Sequence, residues 1–444
     1  MLDPLHRHWQ QTTAHGHWPG EPGGHADTRR FHAGIGSLDA LRALRASRQQ
    51  HRPLSLSVQL PAGLGGEQQD AYLRCLQREI ALVGCHLGAD QRIEQFQLSG
   101  ATPSAQVLQG LMEQLRRRFN FLEHELGDYG VEVDLHHTDW ATMGLLRDLG
   151  FNHVSIGVPD CRQDALPSPA RCQNPAPIHS LIDAARTFDF RSVSVDLGYG
   201  HAWQTLDSFA RKLATLIELE PDRLQVFDYA KPPARYAHSA RQAPCSPADK
   251  ARMRQLCFAQ LLAAGYQHIG LGQFVRADDD LAIAQERGRL RRNCQGFTRH
   301  GYCDHVGLGL GAISQFDELY TQNALTLAHY LQALGNDQLA TCRGWRCEAD
   351  DQLRQRLAER LACDLELDIQ AFEARYGVDF TQYFASAWCQ LEAMSRAGLV
   401  ELSVRYISIL PAGRVEVDAI CQLFAPSSPG LSLHQQWVDH DASL

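Results

Sequence analysis

Short apolar runs alternate along the first two thirds of the chain with longer segments in which apolar residues recur every three or four positions. Six runs predict strands, at 53–60, 93–98, 130–134, 152–157, 193–197 and 223–228. The helical spacing is clearest in 104–119 and 206–217, each of which places its large apolar residues on one face. Six strand–helix alternations predict parallel βαβ units. The pattern alone fits an open doubly wound sheet and a partial barrel equally well.

The pattern changes after about residue 340. Leu353, Leu357 and Leu361 repeat every four residues, as in a buried helical stripe. A further helical stretch, two short strands that form a wing, and a closing helix are predicted from there to residue 424. At the other end, residues 1–36 are rich in Gly, Pro and His and show no hydrophobic period. We therefore predict an N-terminal arm (1–50), an α/β domain (51–340) and a mostly helical C-terminal domain (341–444).

Composition narrows the class of protein. The 444 residues are 44% hydrophobic and 21% charged, as in ordinary globular domains. The net charge of −9 argues against a general nucleic-acid binder. No apolar run approaches the roughly 18 residues of a membrane helix, and the N-terminus lacks the apolar stretch of a secretory signal. The thirteen scattered cysteines suit reduced thiols, so we expect a cytoplasmic protein without membrane insertion.

Two motifs in the segment 265–314 point to a family. They are Arg292-Asn-Cys-Gln-Gly-Phe-Thr298 and Gly307-Leu-Gly-Leu-Gly-Ala-Ile-Ser314. Both resemble motifs of oxygen-independent coproporphyrinogen III oxidase, a radical S-adenosylmethionine (SAM) enzyme of haem synthesis. Weaker matches extend the resemblance over roughly 53–424. It implies a partial (β/α)6 barrel of the TIM type with a wide mouth, followed by a winged-helix-like C-terminal domain of the coproporphyrinogen-oxidase type.

One motif of that family is missing. The resemblance places a C-x-x-x-C-x-x-C motif, which ligates a [4Fe–4S] cluster, where residues 62–69 read Ala-Gly-Leu-Gly-Gly-Glu-Gln-Gln. No cysteine precedes Cys75, and such clusters are held by thiolates. Ser57 stands where the family has a SAM-contacting tyrosine. We therefore expect no [4Fe–4S] cluster, no radical SAM catalysis, no catalytic residue and no metal ligand.

Other SAM positions match the family. The resemblance implies contacts to a first SAM from Gly100, Glu132 and Ile313. It implies contacts to a second SAM from Thr102, Arg171, Asp196 and Ala230. Two of these have plain structural alternatives: Asp196 as a strand-end carboxylate that caps the next loop, and Arg171 as a solvated loop residue. SAM thus remains a possible cofactor.

A tetrapyrrole is the other expected ligand, as haem or a porphyrin. Coproporphyrinogen carries four propionates, which cationic side chains recognise. We expect Arg292 and Gln295 to bind substrate, within a cluster that also includes Arg276, Arg291 and Arg299. Alternatively, 287–292 is the basic end of a solvated helix. His300 and His305 are possible haem ligands, and six histidines of the N-terminal arm are possible metal or haem ligands.

Three functions follow from these features. The first is a non-catalytic relative in haem or porphyrin metabolism that keeps a tetrapyrrole or SAM pocket, for binding or for regulation of a protein partner of haem synthesis. The second is an active coproporphyrinogen III oxidase, which converts two propionates to vinyls by oxidative decarboxylation. The third is a protein-interaction scaffold.

Overall fold

The computed structural model describes residues 28–123, 126–135, 137–158, 176–201, 203–229 and 245–425. These residues fall into two compact units, which divide between Arg346 and Cys347. Among the described residues, no helix has the length and apolar character needed to cross a membrane.

The larger unit is built on strands that alternate with helices. Its strands are β1 (Leu54–Leu60), β2 (Arg92–Gly100), β3 (Asn120–Phe121), β4 (Asp128–Asp134), β5 (His153–Gly157), β6 (Ser192–Tyr199), β7 (Arg223–Asp228), β8 (Gln267–Gly270), β9 (Gln273–Val275), β10 (Arg291–Asn293), β11 (Gly296–Thr298), β12 (Asp304–Leu308), β13 (Ile313–Phe316), β14 (Leu319–Asn323) and β15 (Thr341–Arg346). Its helices are α1 (Ser37–Gln49), α2 (Gly66–His86), α3 (Ala105–Arg118), α4 (Trp140–Asp148), α5 (Ala176–Thr187), α6 (Leu206–Glu218), α7 (Pro247–Ala263), α8 (Asp280–Glu286) and α9 (Leu327–Gly335).

Six parallel strands form the centre of one large sheet, in the order β1-β2-β4-β5-β6-β7. The strand β12 runs parallel to β1 on its other side, and β13, β14 and β15 continue that edge as antiparallel strands. The opposite edge ends in the antiparallel strands β9 and β8. The six predicted strands and their parallel arrangement are confirmed. Within the described residues the sheet stays open, as expected of a partial barrel.

The two faces of β1 differ in chemistry. Leu54, Leu56, Val58 and Leu60 alternate with polar residues, and all four are buried. Because successive side chains of a strand point to opposite faces, the apolar set shares one face and the polar set the other. Burial of the apolar set stabilises the unit by about 1.5–3 kcal/mol per side chain.

The smaller unit is mostly helical. Its helices are α10 (Ala349–Asp364), α11 (Ile369–Tyr376), α12 (Phe380–Tyr383), α13 (Ala385–Arg396) and α14 (Val417–Gln422), with a 3₁₀ helix at Pro411–Glu416. Its strands β16 (Glu366–Asp368), β17 (Val400–Leu402) and β18 (Tyr406–Ile409) form a three-stranded antiparallel sheet. The leucine stripe 353, 357 and 361 lies in one apolar core with Phe372, Phe380 and Phe424.

Candidate functional site

The parallel strands bring their last residues to one edge of the sheet, which we call the mouth. The strands β1, β2, β4 and β6 end there at Leu60, Gly100, Asp134 and Tyr199. In β/α barrels this edge carries the ligand site, because the loops that follow each strand converge there. A SAM site is therefore expected near this edge.

Gly100 and Glu132 meet at the mouth. The amide N–H of Gly100 donates a hydrogen bond to Oε2 of Glu132 at 3.0 Å. Gly100 has φ +103°, and a Cβ there would lie 1.9 Å from the carbonyl oxygen of Leu60. Only glycine fits both constraints. Beside this pair, the hydroxyl of Thr102 accepts the amide N–H of Asp134 at 3.1 Å, so three of the seven SAM positions lie together.

Asp196 lies inside the barrel, three residues before the end of β6. Its side chain is completely buried. Asp196 pairs in register with Gln225 of β7, and Ser194 precedes it on the same face. Arg171 and Ala230 lie outside the described residues.

Ile313 stands at the start of β13, next to β12. A Cβ on Gly307 would lie 2.3 Å from the carbonyl oxygen of Ile313, and Gly307 pairs with Ser57 of β1. Gly309 has φ +104°, and a Cβ there would lie 2.6 Å from the carbonyl oxygen of Gln59. The glycines of the motif 307–314 thus let this turn approach the carboxyl half of β1 closely, and Ile313 is held beside it.

The hairpin of β10 and β11 carries Arg292 and Gln295. Ser55 of β1 donates a hydrogen bond to Oε1 of Gln295 at 3.5 Å. Asn293 and Thr298 both donate to Oε1 of Gln95 at 3.2 Å. These contacts attach the hairpin to the polar faces of β1 and β2, in the amino-terminal half of the strands. Gln295 therefore lies below the mouth, at the inner end of the barrel space.

The other arginines of the predicted cluster have different partners. Arg299 forms a bidentate pair with Asp128, with its Nη2 2.6 and 2.8 Å from the two carboxylate oxygens. Arg291 donates to the carbonyl oxygens of Gly288 and Leu290, at 3.1 and 2.6 Å. The alternative of a basic helix end at 287–292 fits Arg287, the C-cap of α8, but not Arg291 and Arg292, which lie in β10.

His305 lies on β12, with 1% of its surface exposed. Its Nδ1 is 3.1 Å from the hydroxyl of Ser55, and its Nε2 is 3.1 Å from the hydroxyl of Ser57. Burial lowers the pKa of His305 to about 3, so the ring is neutral at ordinary pH. Both ring nitrogens are engaged, and a haem iron would have to displace one hydroxyl.

The interior of the barrel is polar, which sequence reasoning missed. Its inner face carries Ser55, Ser57, Gln59, Gln95, Gln97, Ser99, Glu132, Ser194 and Asp196. The centre of a typical β/α barrel is instead filled by Val, Ile and Leu. The signal was available in the sequence as the alternation Leu-Ser-Leu-Ser-Val-Gln-Leu at 54–60.

A second polar cluster, also missed, lies at the opposite edge of the sheet. Asp128 begins β4, and its carboxylate contacts Arg299, Arg191 (2.8 Å), His300 Nε2 (2.8 Å) and His153 Nε2 (3.5 Å). Burial alone would raise the pKa of Asp128, but hydrogen bonds from His153, His300 and Arg299 hold it well below its usual range. A cavity of about 90 Å³ adjoins these residues.

Comparisons with known proteins agree with these features. A family described as the HemN C-terminal domain matches residues 348–415. The chain is 43% identical over 423 residues to an oxygen-independent coproporphyrinogen III oxidase of Pseudomonas aeruginosa, which covers 90% of this chain and 92% of the relative. The chain belongs to the oxygen-independent coproporphyrinogen III oxidase family.

Further relatives extend this result. The Escherichia coli enzyme of the same name is 34% identical over 399 residues, with 85% of this chain and 86% of the relative covered. A solved structure of E. coli coproporphyrinogen III oxidase (HemN), described as a radical SAM enzyme, superimposes with a TM-score of 0.80 at 33% identity. It covers 89% of this chain and 95% of the solved one. The predicted fold class, a partial barrel of the radical SAM kind with a helical C-terminal domain, is confirmed.

The expectation of no [4Fe–4S] cluster is corrected by the same comparisons. The structural relative is a radical SAM enzyme, and in that chemistry an iron–sulfur cluster acts together with SAM. This chain also has cysteines outside 62–69, among them Cys303 and Cys347. The lack of cysteine in 62–69 therefore does not exclude a [4Fe–4S] cluster. This lack means only that any thiolate ligand of a cluster comes from another part of the chain.

Proposed function

We propose that the protein binds SAM and a propionate-bearing tetrapyrrole in the barrel interior, and that ligand binding is its primary function. Gly100, Thr102, Glu132, Asp196 and Ile313 hold SAM in this proposal, with Arg171 and Ala230 added by resemblance. Arg292 and Gln295 bind the tetrapyrrole. The protein thereby acts in haem or porphyrin metabolism, with a protein of haem synthesis as a further partner.

The polar interior is the observation that supports this proposal most. Layers of apolar side chains in the interior stabilise an ordinary β/α barrel. Polar groups in that place add a free-energy cost of burial, so their presence indicates a role other than stability. A carboxylate such as Asp196, completely buried on the inner face, suits a ligand with an ammonium or sulfonium group and ribose hydroxyls. SAM carries all three.

The tetrapyrrole part follows from the hairpin. Gln295 lies at the inner end of the barrel space, where Ser55 holds its side-chain oxygen. Arg292 lies in β10 of the same hairpin and is half-buried. Its guanidinium can pair with a propionate carboxylate.

Active oxidase is a second candidate, favoured by the 43% identity that covers 90% of the chain. It would decarboxylate two propionates oxidatively to vinyls. Ser57 weighs against full activity. It stands at a position that the family gives to a SAM-contacting tyrosine, and its hydroxyl is engaged with His305 at 3.1 Å.

Calorimetric titration of the anaerobic protein with SAM, coproporphyrin III and haem tests the proposal. Asp196→Asn and Glu132→Gln should weaken SAM binding by roughly 10- to 100-fold, because a hydrogen bond to a charged group is worth about 1.5–3 kcal/mol. Arg292→Ala should weaken the porphyrin by a similar factor and leave SAM unchanged. Asp207→Asn, on the exposed side of α6, serves as the matched control.

Turnover is measured in the same preparations. Iron and sulfide are quantified, SAM and a strong reductant are added, and vinyl products and 5′-deoxyadenosine are assayed. Products above a no-enzyme control would make the oxidase the primary function. Absence of binding by all three ligands below about millimolar would overturn the proposal and leave a scaffold.

A further inference from the structure

Three side chains with metal-binding atoms meet at the amino-terminal edge of the sheet, away from the mouth. They are Glu94 of β2, His300 and Cys303. One carboxylate oxygen, one ring nitrogen and the sulfur all lie within 4.8 Å of one another. No other group of three or more such residues is found among the described residues. We propose that Glu94, His300 and Cys303 form a zinc site.

Two of the ligands stand on one tight turn. The amide N–H of Cys303 donates to the carbonyl oxygen of His300 at 3.0 Å, which closes the turn His-Gly-Tyr-Cys. Structural zinc sites use pairs of ligands with the same two-residue spacing, since it lets both side chains approach one ion. The third ligand comes from a separate strand, so the ion would join β2 to the turn that precedes β12.

The backbone on both sides of the turn is fixed. The amide N–H of His300 donates to the hydroxyl of Thr298 at 3.0 Å. That hydroxyl in turn donates to Gln95, the neighbour of Glu94 on β2. After the turn, the amide N–H of Asp304 donates to the carbonyl oxygen of Pro53 at 3.0 Å. The positions of the ligands are therefore set by the fold before an ion arrives.

The imidazole of His300 is oriented by Asp128, which lies on the side of the ring away from Glu94 and contacts Nε2. Its Nε2 is 2.8 Å from Oδ2 of Asp128, and this carboxylate is itself held by Arg299. With Nε2 placed against Asp128, the nitrogen that faces Glu94 is Nδ1, which lies 3.3 Å from Oε2. A cation between this nitrogen and this carboxylate would contact both. A carboxylate behind the distal nitrogen is the usual support of a zinc-bound histidine.

The donor set selects the metal. One thiolate, one imidazole and one carboxylate suit zinc, whereas calcium and magnesium take oxygen ligands. Both Glu94 and His300 are largely buried, with side chains 19% and 10% exposed. A water molecule would complete a tetrahedral shell.

Titration with Co²⁺ and Zn²⁺ tests the site in protein stripped with a chelator and kept anaerobic. Cobalt serves as the probe because thiolate-bound Co²⁺ has a sulfur-to-metal charge-transfer band, which histidines alone do not give. This matters because the N-terminal arm contains six histidines and no cysteine. We expect about one Co²⁺ per chain with that band for the wild type, and displacement by Zn²⁺.

Variants assign the ligands. Cys303→Ser should abolish the band and weaken Zn²⁺ binding by more than about 100-fold, since even the loss of a residue that only supports a ligand costs roughly 10- to 100-fold. Glu94→Gln should keep the band and weaken Zn²⁺ by at least 10-fold. Cys342→Ser, an exposed cysteine on β15, should match the wild type. Zinc should raise the melting temperature of the wild type and Cys342→Ser, and leave that of Cys303→Ser unchanged.

Two results would overturn the site. One is binding of Co²⁺ without a charge-transfer band, which would assign the metal to histidines such as those of the arm, or with equal strength in Cys303→Ser, which would assign it to other ligands. The other is no binding of Zn²⁺ by the wild type at micromolar concentrations. Melting of each variant without metal shows that it is folded. SAM and tetrapyrrole are absent throughout, so failure here leaves the proposed function untouched.

Discussion

The carboxylate of Glu79, buried on α2, accepts the amide N–H of Gly309 at 2.7 Å. The side chains of Asn323 and Tyr330 donate to the same carboxylate, at 2.6 and 2.7 Å. One helix residue thus holds the glycine turn that follows β12, although 230 residues separate the two in sequence. Burial raises the pKa of Glu79 to about 7, against the opposing effect of these three donors.

This relationship predicts a specific pH dependence of stability. The folded-state pKa of Glu79 lies above its usual 4.5, so the folded protein holds the proton more tightly. The stability that protonated Glu79 contributes is fully present below about pH 4.5 and is lost as pH rises through about 7. The melting temperature of the wild type, relative to Glu79→Gln, should fall by a few degrees between pH 5 and pH 8.

Scanning calorimetry from pH 5 to pH 8 makes that comparison. Glu67→Gln, an exposed substitution in the first turn of the same helix, is the control and should show no such trend. Parallel curves for wild type and Glu79→Gln would contradict the assignment of a raised pKa to this carboxyl.

How far the sequence predicts this fold depends on the range of the interactions. The strand 223–228 is observed with its predicted bounds, and β2 extends from the predicted 93–98 to 92–100. Local periodicity decides such elements, because each strand buries its own apolar face. The hairpin of β10 and β11 was not predicted. Its three-residue strands are too short for a period, and its basic residues resemble a helix end.

In the candidate site, too, the sequence predicts some residues and misses contacts between distant ones. Gly100 and Glu132 were assigned to SAM by resemblance to the family, and the structure brings them into hydrogen-bond contact. The cluster around Asp128 was not foreseen, because Arg299 is 171 residues away in sequence. Long-range pairing of charges at the starts of strands leaves no local pattern. Only the fold shows which of the many acidic residues meet which cations.

A single methyl group at Gly100 should be costly. A Cβ there would lie 1.9 Å from the carbonyl oxygen of Leu60, and φ is +103°. Strain of this kind costs about 1–3 kcal/mol before the clash is counted. We expect Gly100→Ala to be destabilised by at least about 2 kcal/mol in denaturant unfolding.

Gly110 gives the matched control for that substitution. It lies within α3, and a Cβ there would have no heavy atom within 4 Å. Gly110→Ala should therefore stabilise the helix by about 0.5–1 kcal/mol. Equal effects of the two substitutions would refute the close approach at the mouth.

The smaller unit should depend on Phe380. Its side chain is completely buried, and its ring centroid lies 5.0 Å from Phe384, 5.7 Å from Phe372 and 6.1 Å from Phe424. Truncation of a buried phenylalanine costs about 3–5 kcal/mol. Phe380→Ala should expose residues 347–425 to limited proteolysis. Val404→Ala, at a position 91% exposed, should leave the digestion pattern unchanged.

His305 should make the larger unit sensitive to acid. Burial lowers its folded-state pKa to about 3 from the usual 6.5, so the folded protein favours the neutral ring. The resulting stability is present above about pH 6.5 and is lost as pH falls toward 3, because the unfolded chain takes up the proton first. His305→Gln removes this titration and keeps a polar group for Ser55 and Ser57. The melting temperature of the variant should therefore fall less than that of the wild type between pH 6.5 and pH 4.

The exposed His179 provides the comparison for this last prediction. His179→Gln should retain the acid sensitivity of the wild type. Nitrogen-15 spectra of labelled histidines offer a second measurement, since the ring of His305 should stay neutral at pH 5. A protonated His305 ring at pH 5 would mean that water enters the barrel interior and that the contacts with Ser55 and Ser57 open.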